Sequence, residues 1–473
     1  MVAVGAGVGG GGGVAEDLTR PPEVGEPPVL ELPEVKRFQL ESGLEVILVE
    51  RSGLPLVHLE LVALGGSWLQ NGTAGLADFT LDLMDEGTTR RTTLEIAEAV
   101  EDIGAELETG AARDHSWVSM NVLTDHLSAG VELLADVVLR PSFPPAELER
   151  IRGERLARVL QDADDPRTVA DNTFARVVFG EGHPYGDPLL GTPATLQAIT
   201  REDVVGYHAA AFRGGNARLV VVGQVTADEL QPLLEEALAE WPREGAAWTP
   251  PADGSPTPSR AAGEIPIVLV DRPGAPQSEI RVGRVGVERG REDEAVLTVL
   301  NTILGGSFTS RLMQNLREDK GFTYGAGSSF VMRRLPGPFV ARSAVHTPVT
   351  AQAVTEFLAE IRTLREERVP DDELARARSY VALRLPQRFE TLEDVTDRLV
   401  EVLLHDLPTD YWESWVPGIM AVTADEVQAA ARSRLSDQGM VVVVTGDRAT
   451  LEEPLRALGL GPVTVVPPAG DGE

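Results

Sequence analysis

The sequence predicts an α+β protein of two homologous α/β-sandwich halves, each an antiparallel or mixed sheet with helices on one face, that close around a cavity. Three observations predict it: segments of the first half recur in the second, each half runs from strands through helices to a last strand, and a segment of linker composition separates the copies. Strands that precede a run of helices favour a sheet whose helices gather on one face.

The repeat consists of four pairs of similar segments. The opening VILVERSGLP is matched by IVLVDRPGAP, and FPPAELERIR is matched by VPDDELARAR. The pairs lie 221 to 226 residues apart, and four matches at nearly one offset indicate a duplicated unit. In chain order, the pairs are 46–55 with 267–276, 143–152 with 369–378, 199–212 with 422–435, and 219–225 with 442–448.

The repeat divides the chain into segments. We expect a first half at 35–244 and a second half at 265–460, joined by a linker at 245–264 that is rich in Pro, Gly, Ser and Ala. The Gly- and Pro-rich segment 1–34 lacks the basic start and the leucine-rich core of a signal peptide. We therefore expect a flexible leader there, and a short tail at 461–473.

Each half has a similar predicted order of elements. In the first half, 44–50 is predicted to be a strand that leads into a second strand. The apolar spacing of 128–139 and of 146–161 predicts two helices, the second of which begins at a pair of prolines. The strand predicted at 218–223 closes the unit.

Composition excludes several classes of function. The chain has 473 residues, 42% of them hydrophobic, and 74 acidic against 42 basic residues give a formal net charge of −32. This excess of negative charge repels nucleic acid and anionic lipid, so we expect neither as a partner. The absence of cysteine excludes disulfides, thiolate nucleophiles and cysteine-bound metals. No apolar run reaches the length of a membrane span.

The stretch GLADFTLDLMDEGTTR at 75–90 carries the first candidate site. Its apolar spacing predicts one amphipathic helix that ends at a Gly-Thr turn. Asp78 and Asp82 lie about one helical turn apart and could share one cation. However, zinc held by two carboxylates and no nitrogen would be weakly bound, and calcium needs more oxygen ligands. We therefore expect these aspartates to lie on a solvated or inter-subunit face.

The histidines offer no second metal site. No two of the seven lie three or four residues apart, so no helix presents a histidine pair. We interpret His183, in the HPYG motif, as a residue that structures a loop. His115 stands between Asp114 and Ser116, but adjacent residues cannot form one catalytic triad, and no G-x-S-x-G motif is present.

Four motifs accompany the repeat. They are GLEVILVER at 43–51, GLADFTLDLMDEGT at 75–88, HPYG at 183–186 and GSFTSRLMQNLREDKGFTYGAGSSF at 306–330. Together with the doubled unit, they resemble the insulinase/pitrilysin (inverzincin) zinc peptidases over roughly residues 35–460. This family includes the mitochondrial processing peptidases and their bacterial relatives. The resemblance implies two peptidase-like halves around a chamber.

The zinc signature of that family is altered in this chain. The resemblance implies an H-x-x-E-H motif on the acidic helix, with two histidines on zinc and the glutamate as general base. The corresponding residues here are Asp78, Leu81 and Asp82, and the later glutamate ligand falls near Ala157 and Arg158. The resemblance therefore implies that this chain binds no metal, since all four functional positions are changed.

The motif of the second half is intact. Arg317 and Tyr324 lie seven residues apart in REDKGFTYG. The resemblance implies that such a pair points across the chamber and contacts the substrate backbone and the developing oxyanion. Arginine brings a fixed charge and rigid donors, and tyrosine brings one hydroxyl donor. Spacing alone would favour a surface charge and a packed ring.

These implications together favour the bacterial zinc-less type of subunit in a heteromeric metallopeptidase. The expected partner is a homologous subunit with the H-x-x-E-H motif, in a heterodimer or larger assembly, and that partner holds the zinc. The expected substrate is an unfolded peptide that adds as a strand to a sheet edge. The strong negative charge weakly favours cationic peptides.

Two alternatives remain open at this point. The first is a non-catalytic peptide-binding or scaffold subunit, against which an intact Arg317 and Tyr324 argue mildly. The second is a divergent metallopeptidase that is active alone through Asp78 and Asp82 on another metal. Leu81 at the position of the base argues against this second alternative.

Overall fold

The structure, a computed structural model, describes Gly25, residues 33–252, Gly254 and residues 263–467. Most of the expected leader 1–34, much of the linker and the last residues of the expected tail lie outside the described residues. Within the described part of the chain, no helix is both long enough and apolar enough to cross a bilayer.

The first half forms one sheet and eight helices among its described residues. Its strands are β1 Val35–Gln39, β2 Glu45–Glu50, β3 Leu56–Leu64, β4 Glu106–Ala111, β5 His115–Leu123 and β6 Ala217–Gly223. Its helices are α1 Leu76–Asp82, α2 Thr93–Asp102, α3 Leu127–Leu139, α4 Pro145–Asp164, α5 Pro166–Phe179, α6 Pro193–Ala198, α7 Arg201–Ala211 and α8 Ala227–Ala237.

The second half repeats this plan. Its strands are β7 Ile267–Asp271, β8 Gln277–Val285, β9 Ala326–Phe330, β10 Pro338–His346, β11 Val441–Gly446 and β12 Val463–Val466. Its helices are α9 Glu294–Asn301, α10 Arg311–Met313, α11 Thr350–Glu366, α12 Asp371–Arg384, α13 Leu392–Leu404, α14 Tyr411–Ala421, α15 Ala424–Arg434 and α16 Arg448–Ala457. Two π-helical turns, Thr302–Gly306 and Gln314–Asp319, follow α9 and α10.

The predicted pair of mixed sheets is confirmed. The first sheet has the order β1-β2-β6-β3-β5-β4, and the second has the order β12-β7-β11-β8-β10-β9. In each sheet the opening strand runs parallel to the strand that closes the unit, β2 with β6 and β7 with β11. The remaining neighbours are antiparallel, apart from β12, which runs parallel to β7.

The two sheets differ at one edge. In the first sheet the edge beside β2 is filled by β1, which precedes it in the chain, whereas in the second sheet the matching edge is filled by β12. This strand lies in the segment that the sequence predicts to be a tail from residue 461. It belongs to the sheet because it pairs with β7, from Val463 opposite Ile267 to Val466 opposite Val270.

The first sheet is buried on both of its faces. Along β2, Val46 and Leu48 contribute to the core of the first half, whereas Ile47 and Val49 belong to a core shared with the second half. Successive side chains of a strand point to opposite faces, which explains this division. A strand buried on both faces is apolar at every position, and the run VILV has this pattern.

Each half supplies one helix to the sheet of the other half. Helix α13 packs across β3 and β6 of the first sheet, and α5 packs across β8 and β11 of the second. On the second sheet, Phe174 of α5 packs with Val340, Val441 and Val443. The sequence predicts helices on one face of each sheet, and the structure adds a helix of the opposite half on the other face.

The HPYG motif lies where the two halves meet. The hydroxyl of Tyr185 donates to Asp114 Oδ1 (2.6 Å), and the backbone N–H of Arg334 in the second half donates to Asp114 Oδ2 (3.1 Å). His183 accepts the N–H of Tyr185 at Nδ1 (3.0 Å), and its Nε2 lies 2.9 Å from the carbonyl oxygen of Gly254. His183 therefore structures this loop, as its sequence context predicts.

Candidate functional site

Helix α1 carries Asp78, Leu81 and Asp82, the positions at which the resemblance implies a zinc signature. It begins after Gly75, whose φ of 89° is left-handed, and a Cβ there would lie 2.7 Å from Gly191 Cα. The helix ends at Asp82, earlier than the Gly-Thr turn at which the sequence predicts its end. The last turn is tighter than an α-helix because the backbone N–H groups of Leu83 and Met84 donate to carbonyl oxygens three residues earlier. The side chains of Leu83 and Met84 are both fully buried.

Leu81 lies in the core and offers no catalytic group. Its side chain is fully buried, and its backbone carbonyl accepts a hydrogen bond from Thr109 Oγ1 of β4 (2.7 Å). An alkyl side chain cannot accept a proton from water. The position that corresponds to the general base in the resembled family therefore has a packing role here.

Asp78 and Asp82 both bind one arginine. The guanidinium of Arg155, on α4, donates to Asp82 Oδ2 through Nε (2.8 Å), forms an ion pair with Asp78 and donates to the Asp78 carbonyl oxygen through Nη2 (3.2 Å). Arg155 is only 4% exposed. A buried cation thus stands between the two carboxylates, where the sequence alone predicts a solvated or inter-subunit face.

The charges of this cluster depend on one another. Burial by itself would lower the pKa of Arg155, but the two aspartates outweigh burial, so its pKa is raised and the guanidinium stays charged. Burial raises the pKa of Asp82, and the positive charge of Arg155 opposes that rise. Arg155 therefore provides the positive charge that compensates the negative charges of Asp78 and Asp82.

The resemblance noted in the sequence points to residues of α4 other than Arg155. The later glutamate position falls near Ala157 and Arg158, and both are exposed on α4. Arg155 lies two residues before Ala157 but on the buried stripe of the helix, with Leu148 and Ile151. An arginine at the next helical position after two buried apolar residues is the signal that could have identified it.

The donors present at these positions do not suit zinc. Two carboxylates without nitrogen or sulfur ligands bind it weakly, and the guanidinium of Arg155 already satisfies them. Among the residues that the structure describes, no group of three or more His, Asp or Glu side chains is arranged to hold a metal ion.

Arg317 and Tyr324 lie in the second half, on the turn after α10 and on the segment that leads to β9. The guanidinium of Arg317 stacks over the ring of Phe308, with the central carbon 4.7 Å from the ring centroid. Phe308 is 66% exposed and Tyr324 is 88% exposed. In the described part of the chain, neither Arg317 nor Tyr324 bonds to the α1 aspartates.

His115 forms no triad with its neighbours. Ser116 Oγ shares a hydrogen bond with Tyr207 (2.8 Å), and Asp114 accepts from Tyr185 and from Trp68 Nε1 (3.1 Å). Burial lowers the pKa of His115. Asp114 and Ser116 therefore bond to partners other than His115.

Comparison with family models matches both halves of the chain. Residues 46–192 match the model described as "Insulinase (Peptidase family M16)". Residues 198–381 match the model described as "Peptidase M16 inactive domain". Together these matches extend over most of both sheets.

Comparisons with individual proteins agree with the family models. An uncharacterized zinc protease of Mycobacterium leprae is 30% identical over 347 residues, which are 69% of this chain and 75% of that protein. One of Mycobacterium tuberculosis is 27% identical and covers 89% of this chain and 96% of its own length. The crystal structure of a "peptidase M16 inactive domain" from Pseudomonas fluorescens has a TM-score of 0.80 at 26% identity, covering 87% and 98% of the two chains.

We predict that Arg155→Met destabilises the protein by about 3 kcal/mol, because removing one partner of a buried ion pair leaves uncompensated charge. Urea unfolding at neutral pH measures the change. The matched control is Arg158→Met on the exposed face of α4, which should change the unfolding free energy by less than about 0.5 kcal/mol. Equal effects of the two substitutions would contradict the assigned role of Arg155.

We predict that protonation of the Asp85 carboxylate makes the folded protein more stable in mild acid. Burial first, and then the charges of Glu86 and Asp82, raise the pKa of Asp85 to about 6. Because the folded state binds this proton more tightly than the unfolded state, the contribution to stability grows as pH falls from about 6 to about 4, by up to about 3 kcal/mol.

The substitution Asp85→Asn tests this directly by urea unfolding from pH 4 to pH 7.5. The variant should be more stable than the wild type at pH 7.5, and the difference should shrink towards pH 4. Asp102→Asn, at an exposed position on α2, is the control. A difference between wild type and Asp85→Asn that does not change with pH would refute the prediction.

Proposed function

The chain belongs to the insulinase family of peptidases, M16, and on that premise we propose that it is the zinc-less subunit of a heteromeric peptidase. In this proposal it supplies Arg317 and Tyr324 to the active site of a homologous subunit that carries the H-x-x-E-H motif. The partner supplies the metal, the base and the attacking water. Peptides are the substrate class.

One contrast between the two halves carries the proposal. In the first half, the positions for ligands and base hold Asp78 and Asp82, which are both paired with Arg155, and the buried Leu81. In the second half, Tyr324 extends into solvent. A chain that keeps the second set of groups without the first is suited to act on a centre in another subunit.

The two groups suit the stabilisation of a developing oxyanion. Arg317 carries a permanent charge over the ring of Phe308, and its Nε lies 3.4 Å from a carboxylate oxygen of Glu318. The Tyr324 hydroxyl forms no hydrogen bond with the described residues and is therefore available as a donor. One preorganised donor to an oxyanion lowers a barrier by roughly 3 kcal/mol.

We assign the peptide to the free edge of β4. This strand pairs with β5 on one side only, and it lies against α1 through the hydrogen bond from Thr109 to Leu81. An extended peptide can pair with such an edge through its backbone. The exposed Glu106 and Glu108 on this strand favour peptides with basic side chains.

The proposal is tested by mixing this chain with its expected partner subunit. The chain and its zinc-motif homologue from the same genome are purified separately, and cleavage of an unstructured fluorogenic peptide is measured for each and for the mixture. We expect no cleavage by this chain alone and strong stimulation of the homologue on mixing. Chelator-sensitive cleavage by this chain alone, lost in Asp82→Ala, would instead establish a peptidase that is active by itself.

The substitution Tyr324→Phe tests the assigned role within the complex. We expect kcat to fall about 100-fold, the effect of removing one oxyanion donor, with assembly unchanged by size-exclusion chromatography. Tyr380→Phe on α12 is the matched control and should leave kcat unchanged. Unchanged turnover in Tyr324→Phe would disprove the role, and a complex that never cleaves would indicate a scaffold subunit.

A further inference from the structure

A buried histidine lies between the first sheet and α13, the helix supplied by the second half. His58 is on β3 and only 5% exposed, and its neighbours in the sheet are Asn121 on β5 and Val222 on β6. On the same strand, Glu60 places a carboxylate oxygen 3.6 Å from Nε2 of His58. From α13, Glu393 places a carboxylate oxygen 4.0 Å from Nδ1. The imidazole therefore stands between carboxylates of the two halves.

Asn121 couples this imidazole to α13. Its Nδ2 donates to Glu393 (2.6 Å), so its Oδ1 faces His58 Nδ1 at 3.2 Å. An amide oxygen is an acceptor only, so Nδ1 carries a hydrogen in both charge states of the ring. The proton that makes the ring positive is therefore held at Nε2, on the side of Glu60.

The carboxylate of Glu60 depends on that proton. Its side chain is 12% exposed, so water compensates its charge poorly. A neutral His58 presents a lone pair to this carboxylate and leaves its negative charge uncompensated, which is unfavourable. Burial by itself would lower the pKa of His58, but Glu60 first, and then Asn121 and Glu393, outweigh burial, so the pKa is raised.

The surrounding wall supplies no other cation to Glu60. A cavity of about 480 Å³ borders both His58 and Glu60, which gives solvent protons access to the pair. The arginine of this wall, Arg398, pairs instead with Glu401 (3.0 Å) and Asp397 (3.8 Å). The remaining ionisable groups of the wall are Glu108, His115, Glu393 and His405. Among the residues that the structure describes, His58 is thus the one basic partner of Glu60.

The two other histidines of the wall are neutral at a pH where His58 is still charged. Burial lowers the pKa of His115, and burial followed by the charge of Arg289 lowers the pKa of His405 to about 4. The pKa of His58 lies above its ordinary value of 6.5. Of these three imidazoles, only His58 changes its charge as the pH rises beyond neutrality.

We propose that protonated His58 holds α13 against the first sheet and that loss of its proton weakens this contact, which makes the hold between the halves sensitive to pH. The apolar contacts of α13 with β3 and β6 persist in both states, so the proton controls local opening of α13 and not the fold. Because the folded state binds this proton more tightly than the unfolded state, the stabilisation is complete below pH 6.5 and is lost as the pH rises through the raised pKa. The inference concerns this chain alone and does not depend on the peptidase role.

Amide hydrogen exchange of the full chain, followed by mass spectrometry, tests the proposal on peptides from α13. The exchange rates are measured from about pH 6 to about pH 9, corrected for the intrinsic pH dependence of exchange, and compared with those of α16, which packs on the second sheet. We expect the protection of α13 to fall at least about fivefold over this range and that of α16 to stay constant. Equal changes in the two helices would overturn the proposal.

The variants His58→Gln and Glu60→Gln should each abolish the pH dependence of α13 protection. Glu60→Gln keeps the buried histidine, so the test stands even where His58→Gln does not fold. Its new amide can donate to the neutral Nε2, so α13 should be better protected at alkaline pH than in the wild type. His126→Gln is the matched control, because His126 is exposed, and it should behave as the wild type. A pH dependence that persists in Glu60→Gln would refute the role of the His58–Glu60 pair.

Discussion

The exchange of helices between the two sheets is the constraint on which the rest of the structure depends. The central strands of each sheet carry apolar residues on both faces, and α5 or α13 of the opposite half covers the face that the sheet's own helices leave open. Separating the halves would expose both faces to water. The halves therefore hold one fixed relation, which places the HPYG loop against Arg334.

Within this frame, the cluster of Asp78, Asp82 and Arg155 holds the acidic helix α1 in its place. Two carboxylates one turn apart repel each other, and burial makes the repulsion stronger. Arg155 provides a permanent charge and several donors in one plane, which satisfy both carboxylates. The cluster ties α1 to α4, and the chemistry that we propose for the chain resides in the exposed groups of the second half.

Local sequence signals predicted part of the fold and of the candidate site, and contacts between distant segments explain the features that were missed. The repeat predicted two mixed sheets, and the motif alignment placed Asp78, Leu81 and Asp82 on one helix. The sequence missed Arg155 because its partners lie on another helix 73 and 77 residues away. It missed β12 because four residues that pair with a distant strand carry too little local pattern. The packing of α13 on the first sheet depends on contacts between the two halves, which no periodicity encodes.

The most direct test of the central claim is the zinc content of the purified chain. The protein is dialysed against a small excess of zinc, then against metal-free buffer, and the bound metal is counted by mass spectrometry. The account predicts far less than one zinc per chain, and the same low value for an Asp78→Ala/Asp82→Ala variant. One zinc per chain in the wild type, lost in that variant, would contradict it.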